Sequence, residues 1–178
     1  VAAVRPEIVD PETTKILLTT NVKYDAKSTT KTADTLKTNV LTTLTDYNTN
    51  TLTQFDGVFR YSKVTGLIDG TDSSILSNIT TLKIRKDFTP TLSSSTKYNV
   101  YFRNALYNPH SGHNSSAGGI LESSGFKISG DSSTIFYLDD DGQGNVRRYS
   151  FSGATRVYAN NTQGTIDYDT GAITINSL

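Results

Sequence analysis

The sequence predicts an α+β fold in two parts: an N-terminal α+β domain at residues 1–95, followed by an antiparallel β-rich domain at residues 96–178. Apolar residues recur with a helical period between residues 29 and 47. A Ser- and Thr-rich link follows at 91–96, and beyond it the helical period does not return. Short segments of alternating polarity then follow at close spacing, which is typical of a small sandwich or barrel.

The first domain is predicted to contain strand, helix, helix, strand and strand in that order. The helical stretch around Leu36 and Leu44 has Thr and Lys on its polar face, and because Thr is a poor helix former, packing has to stabilise this helix. The second helix is ambiguous, since Gly57 and Gly66 interrupt its pattern. The predicted helices span residues 29–47 and 54–68, and the predicted strands span 15–24, 75–78 and 80–88.

The second domain ends in a predicted hairpin, GTIDYDTGAITI, at residues 164–175. Ile166 and Tyr168 alternate with polar residues, an Asp-Thr-Gly turn follows, and Ile173 and Ile175 resume the alternation. The other strands predicted for this domain span residues 98–106, 125–130, 134–140, 146–151 and 155–160.

Composition and charge exclude several classes of function. Lys and Arg together number 17, as do Asp and Glu, so the formal net charge is zero and nothing favours nucleic acid or a membrane surface as a partner. The chain contains no Cys, which excludes disulfides, thiolate catalysis and Cys-ligated zinc. No apolar run approaches the roughly 18 residues of a membrane span. The chain does not open with Met or a signal peptide, so we expect a piece of a longer protein.

The segment LDDDGQGN at 138–145 is the strongest candidate for a metal site. Asp139, Asp141 and Asn145 resemble the oxygen-rich start of a calcium loop. Ser150 stands where the closing bidentate Glu would be, and strand patterns rather than helices flank the segment. Asp-Gly and Gly-Asn are also hairpin turn signals, so a turn is the favoured interpretation and calcium the alternative.

His110 and His113 lie in one loop, NPHSGHN, and could begin a metal site or act as a base for a neighbouring Ser. Neither arrangement has a third partner in the sequence, so a hydrated loop is favoured over both. The glycines of GQGN are not followed by a helix, as dinucleotide binding would need. We therefore predict no catalytic residue, no cofactor, no metal ion and no small-molecule substrate. The neighbouring serines that such a histidine base could activate as nucleophiles are Ser111, Ser115 and Ser116.

The order of seven segments resembles the C-terminal half of the large baseplate wedge protein of T-even-like contractile-tailed phages. The first half also resembles the baseplate-J type α+β domain of contractile injection systems. The segments are FRYSKVTGLID (59–69), ILSN (75–78), LKIRKDFTP (82–90), YNVYFRNALYNP (98–109), ILESSGFKISG (120–130), YLDDDGQGNVRRYSF (137–151) and GTIDYDTGAITI (164–175).

This resemblance implies a virion structural protein without enzymatic activity, located in the phage tail baseplate and assembled in the host cytoplasm. It also implies self-association, as a dimer or ring, and contacts with other baseplate wedge proteins that link neighbouring wedges. A regular hairpin at the end of a sheet leaves an edge open unless something covers it. We therefore hypothesise that the hairpin residues Ile166, Tyr168, Ile173 and Ile175 lie on or beside a subunit contact.

Two other functions compete with this interpretation. A tail-fibre or adhesin-type module that binds surface glycans is the alternative, since Thr- and Asn-rich β-domains with exposed Tyr do so, although the α+β first half argues against it. An enzyme comes third, because it would require His110 or His113 beside an acidic partner in a pocket.

Overall fold

The computed structural model describes residues 13–91, 94–113 and 119–177. The chain divides into two compact units, which we call the N-terminal unit (Ile16–Arg85) and the C-terminal unit (Lys86 onward, together with the residues up to Lys15). Helices are few, and most of the ordered structure is antiparallel β-sheet, so the predicted β-rich character is confirmed. The domain boundary near residue 95 stays a prediction.

The N-terminal unit packs two helices on a two-stranded sheet. The Thr20 and Thr80 hydroxyls lie 2.8 Å apart, and the Asp25 amide donates to the Ser74 carbonyl at 2.9 Å, so the two strands run in opposite directions. The elements are β1 (Lys15–Tyr24), α1 (Ala33–Tyr47), a π-helical turn (Asn48–Leu52), α2 (Tyr61–Asp69) and β2 (Ile75–Arg85).

Helix α1 begins at Ala33 because Thr32 caps it. The Thr32 hydroxyl accepts a hydrogen bond from the Thr35 amide, which satisfies one of the amides left over at the helix start. Further along, the Thr38 and Thr42 hydroxyls donate to the carbonyls four residues earlier and so find partners within the helix. Packing supplies the rest of its stability, through a core of Val40, Tyr47, Val64, Ile68 and Ile75.

Two details of the predicted order differ from the structure. The segments 75–78 and 80–88, predicted as two strands, form the single strand β2. The second helix, predicted at 54–68, is present but begins at Tyr61, because the residues around Gly57 form a turn in which the Gly57 amide donates to the Gln54 carbonyl. A Cβ on Gly57 would lie 2.5 Å from the Leu52 carbonyl oxygen, and this close approach explains the glycine that made the pattern ambiguous.

The C-terminal unit is built on one antiparallel sheet with the strand order β3-β8-β7-β6-β5-β4. Within the described residues this sheet is open, with β3 and β4 at its edges, and differs in this from the predicted sandwich or barrel. The strands are β3 (Tyr98–Tyr101), β4 (Phe126–Ile128), β5 (Asp131–Asp140), β6 (Asn145–Ser152), β7 (Thr155–Asp167) and β8 (Ala172–Ile175).

The terminal hairpin forms as predicted. Ile166 of β7 pairs with Ile173 of β8, and Gly171, with φ of 68°, lies in the turn between them. β3 then pairs with the outer side of β8, Tyr98 opposite Ile175. One face of this sheet carries the core, formed by Leu138, Val146, Ile166, Ile173 and Ile175.

Strand lengths in this unit depart from the sequence pattern at two places. β3 ends at Tyr101, because Arg103 has φ of 54°, and the predicted strand to residue 106 is wrong beyond that point. β7 instead runs unbroken through the polar run at 160–164. There the Asn160 side chain bonds to Gln163, and two register shifts against β6 absorb the irregularity.

Candidate functional site

The turn between β5 and β6 presents three consecutive carboxylates to three different surroundings. Successive side chains of a strand point to opposite faces, so Asp139 and Asp140 lie on opposite faces of the sheet, and Asp141 begins the turn. Asp139 and Asp140 are both fully buried, with 1% and 0% of their surface exposed. Buried carboxylates are costly unless hydrogen-bonded or paired, so their partners determine how this part of the sheet is organised.

Asp140 is held by amides and one phenol on the core face. Its Oδ1 accepts from the Ile120 and Leu121 amides, both at 2.7 Å. Its Oδ2 accepts from the Gly142 amide at 3.1 Å and from the Tyr168 hydroxyl at 2.5 Å. A single side chain thus ties the loop before β4 and the terminal hairpin to the end of β5.

The surroundings of Asp140 are tight. Gly119 has φ of 69°, and a Cβ there would lie 2.1 Å from Asp140 Oδ1, so glycine is required for two reasons. Burial raises the pKa of Tyr168, and the hydrogen bond to Asp140 together with the charge of that carboxylate raises it further. The phenol of Tyr168 is therefore held in its neutral, donating form.

Asp139 is held by cations on the opposite face. Its Oδ1 accepts from Arg147 Nε at 2.9 Å, and its Oδ2 accepts from Arg156 at 2.7 Å and from the Tyr158 hydroxyl at 2.9 Å. Arg147 lies directly opposite Asp139 in the register of β5 and β6, which makes it a cross-strand ion pair. Arg147 also donates to the Asp140 carbonyl at 2.9 Å, so its orientation is fixed.

Around this ion cluster lies a continuous set of contacts among four aromatic rings, and together with Ile135 on the same face we call it the aromatic patch (Ile135, Tyr137, Tyr149, Phe151 and Tyr158). Tyr137 and Tyr149 stack with ring centroids 5.6 Å apart, and Phe151 meets both edge-on at 5.4 Å. The Arg147 guanidinium lies 4.3 Å from the Tyr158 ring centroid, and Arg156 lies 4.7 Å from that of Tyr149.

The patch is packed at its centre and exposed at its margin. Tyr149 is buried, whereas Ile135 and Phe151 are 48% and 49% exposed. Burial raises the pKa of Tyr149 and of Tyr158, and for Tyr158 the hydrogen bond to Asp139 adds to the rise. This face is therefore a preformed, rigid surface with accessible apolar side chains.

Asp141 makes the turn that the sequence favours. Its Oδ1 accepts from the Gln143 and Asn145 amides at 2.8 and 3.0 Å, and its Oδ2 accepts from the Asn145 side chain at 2.6 Å. Partial burial opposes ionisation, but the hydrogen bonds from Asn145 outweigh it, and the pKa of Asp141 is lowered. Since Asp139 faces Arg147, the alternative calcium ligands do not converge. No group of three or more His, Asp or Glu in the described ranges could hold a metal ion.

The four hairpin residues predicted to lie on or beside a subunit contact are mostly inside the chain's own core. Ile166, Ile173 and Ile175 are 3–4% exposed, and Tyr168 is half-buried against Asp140. The subunit contact itself stays a prediction, and these side chains lie beneath the sheet rather than on its surface.

The two loop histidines do come together. His113 Nδ1 lies 3.2 Å from His110 Nε2, the two rings meet edge-on, and the Tyr107 ring contacts His113. Ser111 offers its carbonyl, rather than a nucleophilic hydroxyl, to His110. Ser115 and Ser116 lie outside the described residues. Nothing in the described part of this loop assembles a catalytic group.

Sequence reasoning missed the aromatic patch and its ion cluster. The signal was available in VRRYSF and TRVYAN, where Arg and aromatic residues lie two apart and therefore share a face of a strand. In the sequence, Asp139 is recognisable only as part of a possible calcium loop. Its partners Arg147 and Arg156 come from two further strands, whose register the sequence does not give.

One family model matches the N-terminal part of the chain. Residues 15–87 match the family model described as baseplate structural protein gp6, C-terminal domain III. The match covers less than half of the chain and confirms the predicted resemblance to a baseplate protein of contractile-tailed phages. It supports a structural role in a baseplate. No curated protein matches the chain.

Among the described residues, no helix is long and apolar enough to cross a membrane.

Proposed function

We propose that this chain is a wedge or ring subunit of a T4-like phage baseplate, which self-associates and links neighbouring wedges. The observation that carries the proposal is the family match at residues 15–87. The proposal includes a baseplate-J-like arrangement of the N-terminal unit, assembly in the host cytoplasm, and contacts with other wedge proteins in the virion tail. It also includes the absence of enzymatic activity.

We place the self-association contact beside the terminal hairpin, on the edge strand β3. The buried hairpin residues Ile166, Ile173 and Ile175 anchor the hairpin in the core, and β8 of this hairpin pairs with β3. β3 is an edge strand in the described sheet, so no strand of that sheet pairs with its outer side, and an added strand would extend the sheet there. Tyr101 on this strand is 44% exposed.

The first test is the molar mass in solution by light scattering after size-exclusion, across a wide concentration range. We expect a concentration-dependent dimer or a larger even-numbered species. A stable trimer would instead support the tail-fibre or adhesin alternative and justify a glycan screen. A strict monomer at all concentrations would contradict self-association through this chain alone.

A charge on the edge strand then tests where the contact lies. Tyr101→Glu should shift the assembly equilibrium at least about tenfold toward monomer, since a carboxylate at a strand edge opposes pairing. Tyr107→Glu is the matched control, because Tyr107 is 70% exposed and lies outside the strands. If both variants assemble as the parent does, the contact is not on β3.

A further inference from the structure

We infer that the aromatic patch of the C-terminal sheet is a docking surface for an acidic, apolar segment of a different protein chain. The inference rests on the proposed function only in that the partner is sought in the assembled tail. The patch lies at residues 135–158, outside the matched segment 15–87.

The apolar part of the surface has the composition of an interaction hot spot. Tyr, Phe and Arg dominate it, and the exposed Ile135, Phe151 and Tyr158 surround a buried Tyr149. The rings are already fixed by mutual contacts and by Arg147 and Arg156, so little side-chain entropy is lost when a partner binds. Isolated exposed apolar residues need no explanation, but a contiguous cluster does.

The charges at this surface select the chemistry of the partner. Arg147 and Arg156 share one buried carboxylate, that of Asp139, and Arg156 keeps 32% of its side chain exposed. Lys127 follows Phe126, whose side chain packs on the core face, and lies at an irregularity in the pairing of β4 with β5, so we place its side chain at the rim of the opposite face. Lys127 is exposed and has no hydrogen bond or ion pair with the described residues.

The nearest additional acid does not alter this balance. Glu122 acts electrostatically on Tyr149 and is already engaged within the chain. The charge left over at the surface is therefore positive, from Lys127 and the exposed part of Arg156. A carboxylate on the partner would complement both, and a second copy of the same patch would bring like charges together.

A protein segment fits this surface better than a glycan does. Sugar recognition requires acceptors as well as donors, but both oxygens of Asp139 are used by Arg147, Arg156 and Tyr158. Besides the phenol hydroxyls of Tyr137 and Tyr149, the groups that remain are ring faces, apolar side chains and cations, which suit an apolar side chain next to Asp or Glu.

Site-specific photo-crosslinking in assembled tails tests the inference. A benzoylphenylalanine at position 151 is introduced into the chain during infection by the phage that encodes it, tails are purified and irradiated, and the adduct is sequenced by mass spectrometry. We expect an adduct with a different tail protein, at a segment that carries Asp or Glu within a few residues. The matched control is position 157, because Val157 is also 49% exposed but pairs with Ser150 on the other face of the sheet.

Each of the other results would overturn the inference. An adduct with a second copy of the chain would show a self-contact, and a carbohydrate adduct would show a glycan site. No adduct at 151 in tails that contain the chain, or equal adducts at 151 and 157, would show that the patch is not a docking surface. If purified tails that assemble with the unmodified chain do not contain it, the proposed function is contradicted instead, which separates the two failures.

Two further substitutions measure the contributions of charge and ring. Lys127→Glu should lower the yield of the 151 adduct at least about threefold, since charge at an interface rim acts mainly on association. Phe151→Ala should weaken incorporation into tails at least about tenfold, while Val157→Ala leaves it unchanged. An unchanged thermal midpoint of the Lys127→Glu chain would confirm that folding is not the cause.

Discussion

Asp139 and Asp140 are neighbours in β5, yet their side chains lie on opposite faces of one sheet and are stabilised by different groups. Asp140 accepts hydrogen bonds from three backbone amides and from Tyr168, and none of these donors carries a charge. Asp139 accepts from Arg147, Arg156 and Tyr158. The core face thus uses a carboxylate to fix loops, and the opposite face uses one to fix cations and aromatic rings for contact with solvent or a partner.

The largest expected effect is the loss of Asp140. Asp140→Ala leaves four donors without an acceptor in a site that water does not reach, so the free energy of unfolding should fall by about 4 kcal/mol. Urea unfolding followed by circular dichroism measures the loss. Asp169→Ala is the control, because Asp169 is exposed in the neighbouring hairpin turn, and it should change stability by less than about 0.5 kcal/mol. Equal losses in both variants would contradict the role assigned to Asp140.

The loss of Asp139 should be smaller, although it too is a buried carboxylate. Asp139→Ala leaves Arg147 and Arg156 without their counter-charge, but the exposed part of Arg156 can turn toward water, so we expect a loss of about 2.5 kcal/mol. In a double-mutant cycle, Arg156→Met should recover part of that loss, because it removes one of the unpaired cations. A loss for Asp139→Ala as large as that for Asp140→Ala would mean that the two faces do not differ as the structure indicates.

Gly119 should have the next largest effect, through its contact with Asp140. In Gly119→Ala the new methyl group would collide with the Asp140 carboxylate, in addition to the cost of positive φ, and we expect a loss of about 2 kcal/mol. Gly153→Ala separates the two causes, because Gly153 also has positive φ but nothing lies within 4 Å of the added carbon. It should lose only about 1 kcal/mol. Similar losses in both unfolding curves would indicate that backbone strain alone is responsible.

The sequence predicted what depends on local pattern. The helix predicted at 29–47, which begins at Ala33 in the structure, the strand at 15–24 and the terminal hairpin all follow from periodicity and turn residues close together in the chain. It did not predict that β7 runs through its polar segment, because the side-chain bond between Asn160 and Gln163 forms only in the folded strand. The sequence did not predict the ion cluster either, because Asp139 and Arg156 are brought together only by the register of three strands in the folded sheet.

The smallest expected effect is a pH dependence of the free energy of unfolding, which arises from Tyr168 on the core face. The pKa of Tyr168 is raised above the value of about 10 that it has in the unfolded chain. Its contribution to stability is therefore complete below pH 10 and is lost as the pH rises further, because the unfolded state releases the proton first. The slope from this group is less than about 1.4 kcal/mol per pH unit, since Tyr168 is only half-buried and solvent screens its charge.

Tyr168→Phe should make the decline of the unfolding free energy between pH 9.5 and 11.5 shallower. It should also lower stability at neutral pH, because Asp140 loses one donor. Tyr101→Phe is the control, since Tyr101 is exposed on β3, and it should retain the parent slope. An identical alkaline slope for the parent and Tyr168→Phe would show that ionisation of Tyr168 is not coupled to folding. The carboxylate of the core face would then be a purely structural acceptor for the backbone amides.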